Sequence, residues 1–74
     1  MSKISFVIPC YRSAKTIGGV VAEIQDTMAS MPEYVYDIFL VNDCSPDDTY
    51  EVIRALCRQN GNITGISLAK NFGQ

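Results

Sequence analysis

Four consecutive apolar residues, 38–41, lead directly into the polar stretch 42–48. A short continuous apolar run with β-branched and aromatic members is typical of a strand buried on both faces. Ser45 is a good helix N-cap and Pro46 suits the first helical position, so the polar stretch predicts the start of a helix. Asp43 is therefore expected between the carboxyl end of a strand and the amino end of a helix. In open α/β sheets this crevice is where ligands bind.

The rest of the chain continues this alternation of strands and helices. The predicted segments are, in order, strand 4–8, helix 14–29, strand 36–41, helix 46–59 and strand 63–68. Pro9 is expected to close the first strand because it cannot donate to a ladder. Ser13 is the expected cap of the first helix.

Both predicted helices carry one apolar stripe. In the first helix the stripe consists of Ile17, Val20, Val21, Ile24 and Met28, and in the second of Val52, Ile53, Leu56 and Cys57. This spacing is that of one helical face turned toward a core. After the second helix, residues 60–62 (Asn-Gly-Asn) predict a left-handed stop.

The order β-α-β-α-β predicts an α/β fold with parallel strands and right-handed crossovers. If each strand is added on the same side of the last, both helices cover one face of the sheet and leave the other bare. Strands 4–8 and 38–41 nevertheless carry apolar side chains on both faces, which calls for a covering layer on each. We therefore expect an amino-terminal part of a larger α/β domain, or a chain that pairs with something else to hide the open face.

Composition excludes several classes of function. The chain has 74 residues, 47% of them apolar, and a net charge of −2, which is the composition of a soluble globular protein without a basic field for nucleic acid. No apolar run approaches the roughly 20 residues that cross a bilayer, and no signal-peptide core follows Met1, so a cytoplasmic location is expected. Three cysteines and no histidine make a disulfide framework or a zinc site a poor interpretation.

Three predicted strand ends bring polar or aromatic side chains to one edge of the sheet. Tyr11 follows the first strand, Asp43 the second and Lys70 the third. Each has a plainer interpretation: an aromatic plug over the sheet edge, a carboxylate that anchors its own turn, and a solvated lysine. Asp47 and Asp48 are better explained as helix-start carboxylates. Together, however, an aromatic ring, a carboxylate and two helix amino termini suit a nucleotide.

Other phosphate-binding and acidic folds fit less well. The first turn, residues 9–14, lacks the GxGxxG of dinucleotide-binding folds, and GxxxxGK[ST] occurs nowhere. A receiver-like phosphoacceptor domain would want an acidic pair after the first strand, where Pro9, Cys10 and Tyr11 supply none. A dinucleotide-binding fold, a P-loop fold and a receiver-like domain are therefore all disfavoured.

Three blocks of the chain resemble a known family. Residues 4–11 (ISFVIPCY), 39–49 (FLVNDCSPDDT) and 66–74 (ISLAKNFGQ) are similar to the start of family-two inverting glycosyltransferases, above all to dolichyl- or undecaprenyl-phosphate sugar transferases. The resemblance implies a three-layer, Rossmann-like nucleotide-diphosphosugar transferase (GT-A) fold. Residues 1–74 would be its amino-terminal, nucleotide-binding part.

The resemblance also implies a nucleotide-sugar site. Pro9 and Tyr11 would line the base and ribose, and Asp43 would accept a hydrogen bond from the base. Lys70 and Asn71 stand where the third strand approaches the nucleotide.

Four positions depart from the family's usual motifs. Arg12 stands where the family often has an asparagine. Ser13 replaces the family's frequent glutamate, so its hydroxyl is the candidate contact there. Asn42 and Cys44 replace an aspartate and a glycine of the usual V-D-D-G-S block.

The implied activity is transfer of a sugar, with inversion, from a UDP-sugar or similar donor to a lipid phosphate or a glycan. Such reactions serve cell-wall or polysaccharide synthesis, and the parent enzyme would work in the cytoplasm or at the cytoplasmic face of a membrane. Family members hold Mg²⁺ or Mn²⁺ with a later Asp-x-Asp motif and use a later carboxylate as the base. Residues 1–74 contain neither, so this part is expected to be inactive alone. The alternative is a non-catalytic α/β interaction module that self-associates through its open sheet face.

Overall fold

The computed structural model describes residues 2–42 and 48–67. Its elements are β1 (Ser2–Cys10), α1 (Ile17–Ala29), β2 (Tyr34–Asn42), α2 (Thr49–Gln59) and β3 (Ile63–Ser67). The predicted order β-α-β-α-β is confirmed, and so is the parallel sheet. The chain thus has the Rossmann-like α/β arrangement expected from its sequence.

The three strands lie side by side in the order β1-β2-β3. Cys10 pairs in register with Asn42, and Asn42 pairs with Ser67 on its other side. The last residues of all three strands therefore form one row. Because the strands are parallel, the loops that follow them leave from the same edge of the sheet.

Both helices pack on one face of the sheet. Ile38 and Leu40 of β2 are fully buried there, against Ile17 and Val21 of α1 and Ile53 of α2. The Gln25 side-chain amide on α1 also donates a 3.0 Å hydrogen bond to the Asn60 side-chain oxygen at the end of α2. The opposite face, called the open face below, exposes Val7, Val35 and Ile66, as the sequence predicted.

β1 does not stop at Pro9, and the prediction that it would was wrong. The Ile38 amide donates to the Asn62 carbonyl toward β3, so the backbone groups of the next residue, Phe39, face β1. Phe39 pairs in register with Val7. The backbone amide and carbonyl of Val7, and likewise those of Pro9 two residues later, therefore point away from β2. A proline can occupy such an outward position because no ladder hydrogen bond is lost.

α1 begins three residues later than predicted. The Ser13 carbonyl accepts hydrogen bonds from the amides of Thr16 and Ile17, at 3.0 and 2.9 Å, which form a turn before the helix. Thr16 rather than Ser13 is the N-cap residue, and its side chain makes no capping bond. The prediction that Val20 belongs to the core-facing stripe was wrong, because this side chain is 40% exposed. Ile17, Val21 and Met28 of the stripe are buried.

The second helix is also shorter than predicted. It begins at Thr49 with Asp48 as the N-cap, and the predicted Ser45 and Pro46 start lies outside the described residues. The prediction of a left-handed helix stop was wrong, because Asn60, the C-cap residue, has an extended backbone at φ −138° and ψ 115°. Its backbone amide and its side-chain amide both donate to the Leu56 carbonyl, each at 3.1 Å.

Candidate functional site

The row formed by Cys10, Asn42 and Ser67 defines a rim at the carboxyl end of the sheet. Cys10 and Asn42 are both almost fully buried, so the rim is anchored in the core. Pro9 lies beside it with an exposed side chain. The described loop that follows β1 therefore leaves the sheet from a buried strand end.

The loop after β1 presents an aromatic ring to solvent. Tyr11 is 56% exposed, so it does not plug the sheet edge, and its ring offers a face for stacking. The Arg12 guanidinium carbon lies 5.6 Å from the centroid of this ring. Arg12 has a positive φ of 53°, and no other non-glycine residue of the described part does. This conformation is uncommon for arginine and turns the chain sharply after Tyr11.

Ser13 connects the loop to α2. Its backbone amide donates a 2.8 Å hydrogen bond to the Thr49 side-chain oxygen, and its own hydroxyl donates to the Tyr11 carbonyl at 3.1 Å. Thr49 is completely buried. The Ser13 hydroxyl, predicted as a ligand contact, thus donates its hydrogen bond within the loop. Its oxygen can still accept a hydrogen bond.

Thr49 is the site residue that sequence reasoning missed. A threonine at the start of a helix is usually a capping residue, and nothing in the local pattern indicated a buried partner 36 residues away. The only available signal was its position directly after the acidic stretch. Its role is visible only once the β1 loop and the start of α2 are placed side by side.

Cys10 at the rim is not set up as a nucleophile. Burial raises the pKa of its thiol, and a hydrogen bond from the Val41 backbone offsets this only in part. The thiol group contacts the Ile8 carbonyl oxygen at 3.4 Å. A buried neutral thiol packs as a small apolar side chain.

Three of the predicted site residues, Asp43, Lys70 and Asn71, lie outside the described residues. The structure places the strand ends that precede them, Asn42 and Ser67, in adjacent positions of the rim. It brings together Pro9, Tyr11 and Ser13. The predicted roles of all six residues stay predictions.

Within residues 2–42 and 48–67, no three potential metal ligands come close enough to hold an ion. The described site therefore offers aromatic, hydroxyl and backbone groups but no metal centre. It can hold a ligand by stacking and hydrogen bonding.

Comparison with known sequences adds a family. The profile described as Glycosyl transferase family 2 matches residues 5–74. The chain is 31% identical over 71 residues to a protein of Bacillus subtilis (strain 168) named "Putative glycosyltransferase CsbB", covering 96% of this chain and 21% of that relative. It is 30% identical over 74 residues to "Dolichyl-phosphate beta-glucosyltransferase ALG5C" of Trichomonas vaginalis (strain ATCC PRA-98 / G3), covering 95% of this chain and 22% of that relative.

The chain thus spans about a fifth of the length of these two curated relatives. Neither α1 nor α2, the helices of the described part, is long and apolar enough to cross a membrane.

Proposed function

This chain belongs to glycosyl transferase family 2, as its three sequence blocks indicated, and from that premise we propose that its protein transfers a sugar from a nucleotide-diphospho-sugar. In this proposal the chain supplies the part of the enzyme that binds the nucleoside. The observation that carries it is the common row of Cys10, Asn42 and Ser67. It supports the proposal because the three strands that precede the predicted contacts end in one row.

Each contact has a separate task. The exposed ring of Tyr11 stacks on the base, and Pro9 lines the pocket beside it. Asp43, which directly follows Asn42 in the sequence, accepts a hydrogen bond from the base. A carboxylate that receives such a bond from a polarised N–H is a strong and directional acceptor.

The remaining contacts lie toward the sugar and the phosphates. Ser13 turns its oxygen lone pairs to the ribose, while Lys70 and Asn71 approach from the end of β3. The lysine charge attracts the diphosphate as a point charge. A uridine nucleotide is the donor that the family resemblance favours.

Transfer breaks the bond between the anomeric carbon of the sugar and the diphosphate oxygen, and forms a bond from that carbon to an acceptor oxygen. Attack in line with the departing diphosphate inverts the anomeric carbon. The acceptor's proton must pass to a base, and the described residues supply none in the site. They do not fit a metal either, so the Mg²⁺ or Mn²⁺ of the complete enzyme is proposed for residues outside them.

We propose a lipid phosphate as the acceptor, in preference to a growing glycan. The support is the relative from Trichomonas vaginalis, whose name states a dolichyl-phosphate glucosyltransferase. The reaction would then take place at the cytoplasmic face of a membrane and serve cell-wall or polysaccharide synthesis. Such a location brings a water-soluble donor and a membrane-bound acceptor to one enzyme.

The direct test is an assay of the full-length protein with radiolabelled UDP-sugars, polyprenyl phosphate vesicles and a divalent metal. Formation of an organic-soluble radioactive product supports both the donor class and the acceptor class. Calorimetric titration with UDP and GDP then ranks the nucleotides. Titration that detects neither nucleotide, together with no transfer, contradicts the proposal.

A second function is favoured by the open face, where Val7 of β1 is 66% exposed and Val35 of β2 is 47% exposed. A module that self-associates through this face would bury these side chains in a dimer. Sedimentation velocity of the full-length protein distinguishes the two cases. A dimer that dissociates in Val7→Glu but not in Lys15→Glu supports self-association, and a monomer excludes it.

A further inference from the structure

A groove runs along the outer edge of the sheet, between β3 and α2. It encloses about 450 Å³. Its lining residues are Tyr50, Ile53, Arg54, Cys57, Arg58, Ile63, Thr64 and Gly65. Pro9, Tyr11 and Ser13, the described residues of the proposed nucleotide site, do not line it.

The strand that borders the groove has unpaired backbone groups. In the described part of the chain β3 pairs with β2 alone. Because the Ile38 amide donates to the Asn62 carbonyl at 2.9 Å, the backbone groups of residues 64 and 66 face β2 as well. The amide and carbonyl of Gly65, between them, therefore face the groove. An exposed strand edge of this kind is a template for an additional strand.

The helix that borders the groove carries two positive charges. Arg54 and Arg58 are both exposed and lie four residues apart, which places them on one side of α2. The Arg54 guanidinium carbon lies 5.9 Å from the centroid of the ring of Tyr50, which also lines the groove. Neither arginine forms an ion pair with a carboxylate of residues 2–42 or 48–67.

We propose that this groove binds an extended acidic peptide segment, which adds to β3 as a further strand and places two carboxylates on Arg54 and Arg58. The proposal goes beyond the nucleotide site and does not depend on it. Four residues of helix rise about 6 Å, close to the roughly 6.6 Å that separate alternate residues of a strand. The matching sequence is therefore acid-x-acid.

The middle residue of that sequence points to the opposite side, toward the open face. The β3 side chains on that face are Thr64 and Ile66, and Ile66 is 41% exposed. A β-branched apolar residue such as valine would cover this side chain and also favours the extended backbone. The expected segment thus alternates acidic and β-branched residues.

Other occupants fit the groove less well. A second copy of the chain, paired β3 to β3 about a twofold axis, would bring Arg54 and Arg58 toward their own equivalents and repel them. A phosphate or a lipid headgroup would engage the arginines but can donate no backbone-like hydrogen bond to the Gly65 carbonyl. An extended peptide uses the charges and the strand edge together.

The test uses the full-length protein and the fluorescent peptide Thr-Glu-Val-Glu-Val-Thr, followed by anisotropy. We expect saturable binding of this peptide and none of Thr-Lys-Val-Lys-Val-Thr. Two further peptides, one N-methylated on the Glu residues and one on the Val residues, distinguish a peptide docked as a strand from one bound only through its charge. Methylation of one set should abolish binding and methylation of the other should not, because alternate amides face β3.

Matched charge reversals locate the site. Arg58→Glu should weaken binding about tenfold or more, as expected for loss of a charge-assisted pair plus repulsion, and Arg58→Lys far less. Lys15→Glu changes the same charge at an exposed position outside the groove and should leave the affinity within about twofold. Circular dichroism of each variant verifies folding.

Four outcomes would overturn the proposal. These are no binding of the acidic peptide, equal loss in Arg58→Glu and Lys15→Glu, equal binding of both N-methylated peptides, and Arg58-dependent binding of phosphatidylglycerol vesicles in place of the peptide. The UDP titration serves as an independent check. Peptide binding with no UDP binding would retain this inference and remove the nucleotide proposal.

Discussion

The backbone amide of Ser13 donates a 2.8 Å hydrogen bond to the side-chain oxygen of Thr49. This bond joins the loop after β1, which carries Tyr11, to the first residue of α2, which follows the acidic stretch. The loop proposed to stack on the nucleoside is therefore tied to the start of α2. Since Thr49 is completely buried, the contact is shielded from competing water.

Thr49→Val should destabilise the protein by about 1 to 3 kcal/mol, because the similar shape keeps the packing but leaves the Ser13 amide without a buried acceptor. Thr49→Ser retains the hydroxyl. Apart from the contribution of the missing methyl group, it should therefore keep most of the free energy of unfolding that Thr49→Val loses. Urea unfolding of the two variants measures this. A Thr49→Val variant as stable as the native protein would show that the hydroxyl contributes nothing.

Tyr11→Ala should weaken UDP binding by about 1 to 3 kcal/mol, the usual loss when a base loses an aromatic stacking partner, while Tyr11→Phe should retain most of the affinity. The side chain is 56% exposed, so neither change should affect the unfolding midpoint much. Isothermal titration calorimetry with UDP provides the readout. A similar loss in both variants would assign the effect to the hydroxyl rather than to the ring.

Gly65→Ala should destabilise the protein by about 1 to 3 kcal/mol, the range for overpacking a filled site. A Cβ at this position would lie 2.6 Å from Cγ2 of Ile53, so α2 or β3 would have to move. Gly61→Ala is the control, because a Cβ there meets nothing within 4 Å. In an Ile53→Ala background the penalty for Gly65→Ala should shrink, and an unchanged penalty would refute the steric explanation.

Asp37 on the open face gives a pH dependence. The Ser5 hydroxyl and then the Lys3 ammonium, 3.0 Å away, favour the carboxylate and lower the pKa of Asp37 below 3.8. Because the folded-state pKa is lowered, the stabilisation is complete above the ordinary value and is lost as pH falls through the folded value. The gap in unfolding free energy between the native protein and Asp37→Asn should narrow as pH falls from neutral into this acid range. A gap that does not change with pH would exclude this ionisation as its source.

The sequence predicted the order, the type and the parallel pairing of the elements because apolar periodicity reflects burial directly. It failed at element ends, where tertiary contacts decide. Pro9 remains in β1 because its backbone faces away from β2, and the sequence alone does not show which residues of a strand face outward. Thr49 was missed for a related reason, since its partner lies 36 residues away.

For the site, sequence reasoning placed three loops at one rim, and the row from Cys10 through Asn42 to Ser67 has that arrangement. It did not anticipate the left-handed Arg12, whose φ of 53° follows from no local motif. It also did not anticipate that the Ser13 hydroxyl would donate to the Tyr11 carbonyl. Such details depend on loop geometry that residue types do not specify.

The central claim is that an acid from the loop after β2 fixes the base of the nucleotide. Calorimetric titration of UDP into the full-length protein tests it with two variants, Asp43→Ala and the charge-matched control Asp48→Ala, since Asp48 is exposed and makes no side-chain capping bond. We expect Asp43→Ala to raise the Kd about tenfold or more, as for loss of a charge-assisted hydrogen bond, and Asp48→Ala to change it less than about threefold. An unchanged Kd in Asp43→Ala, or equal losses in both variants, would contradict the account.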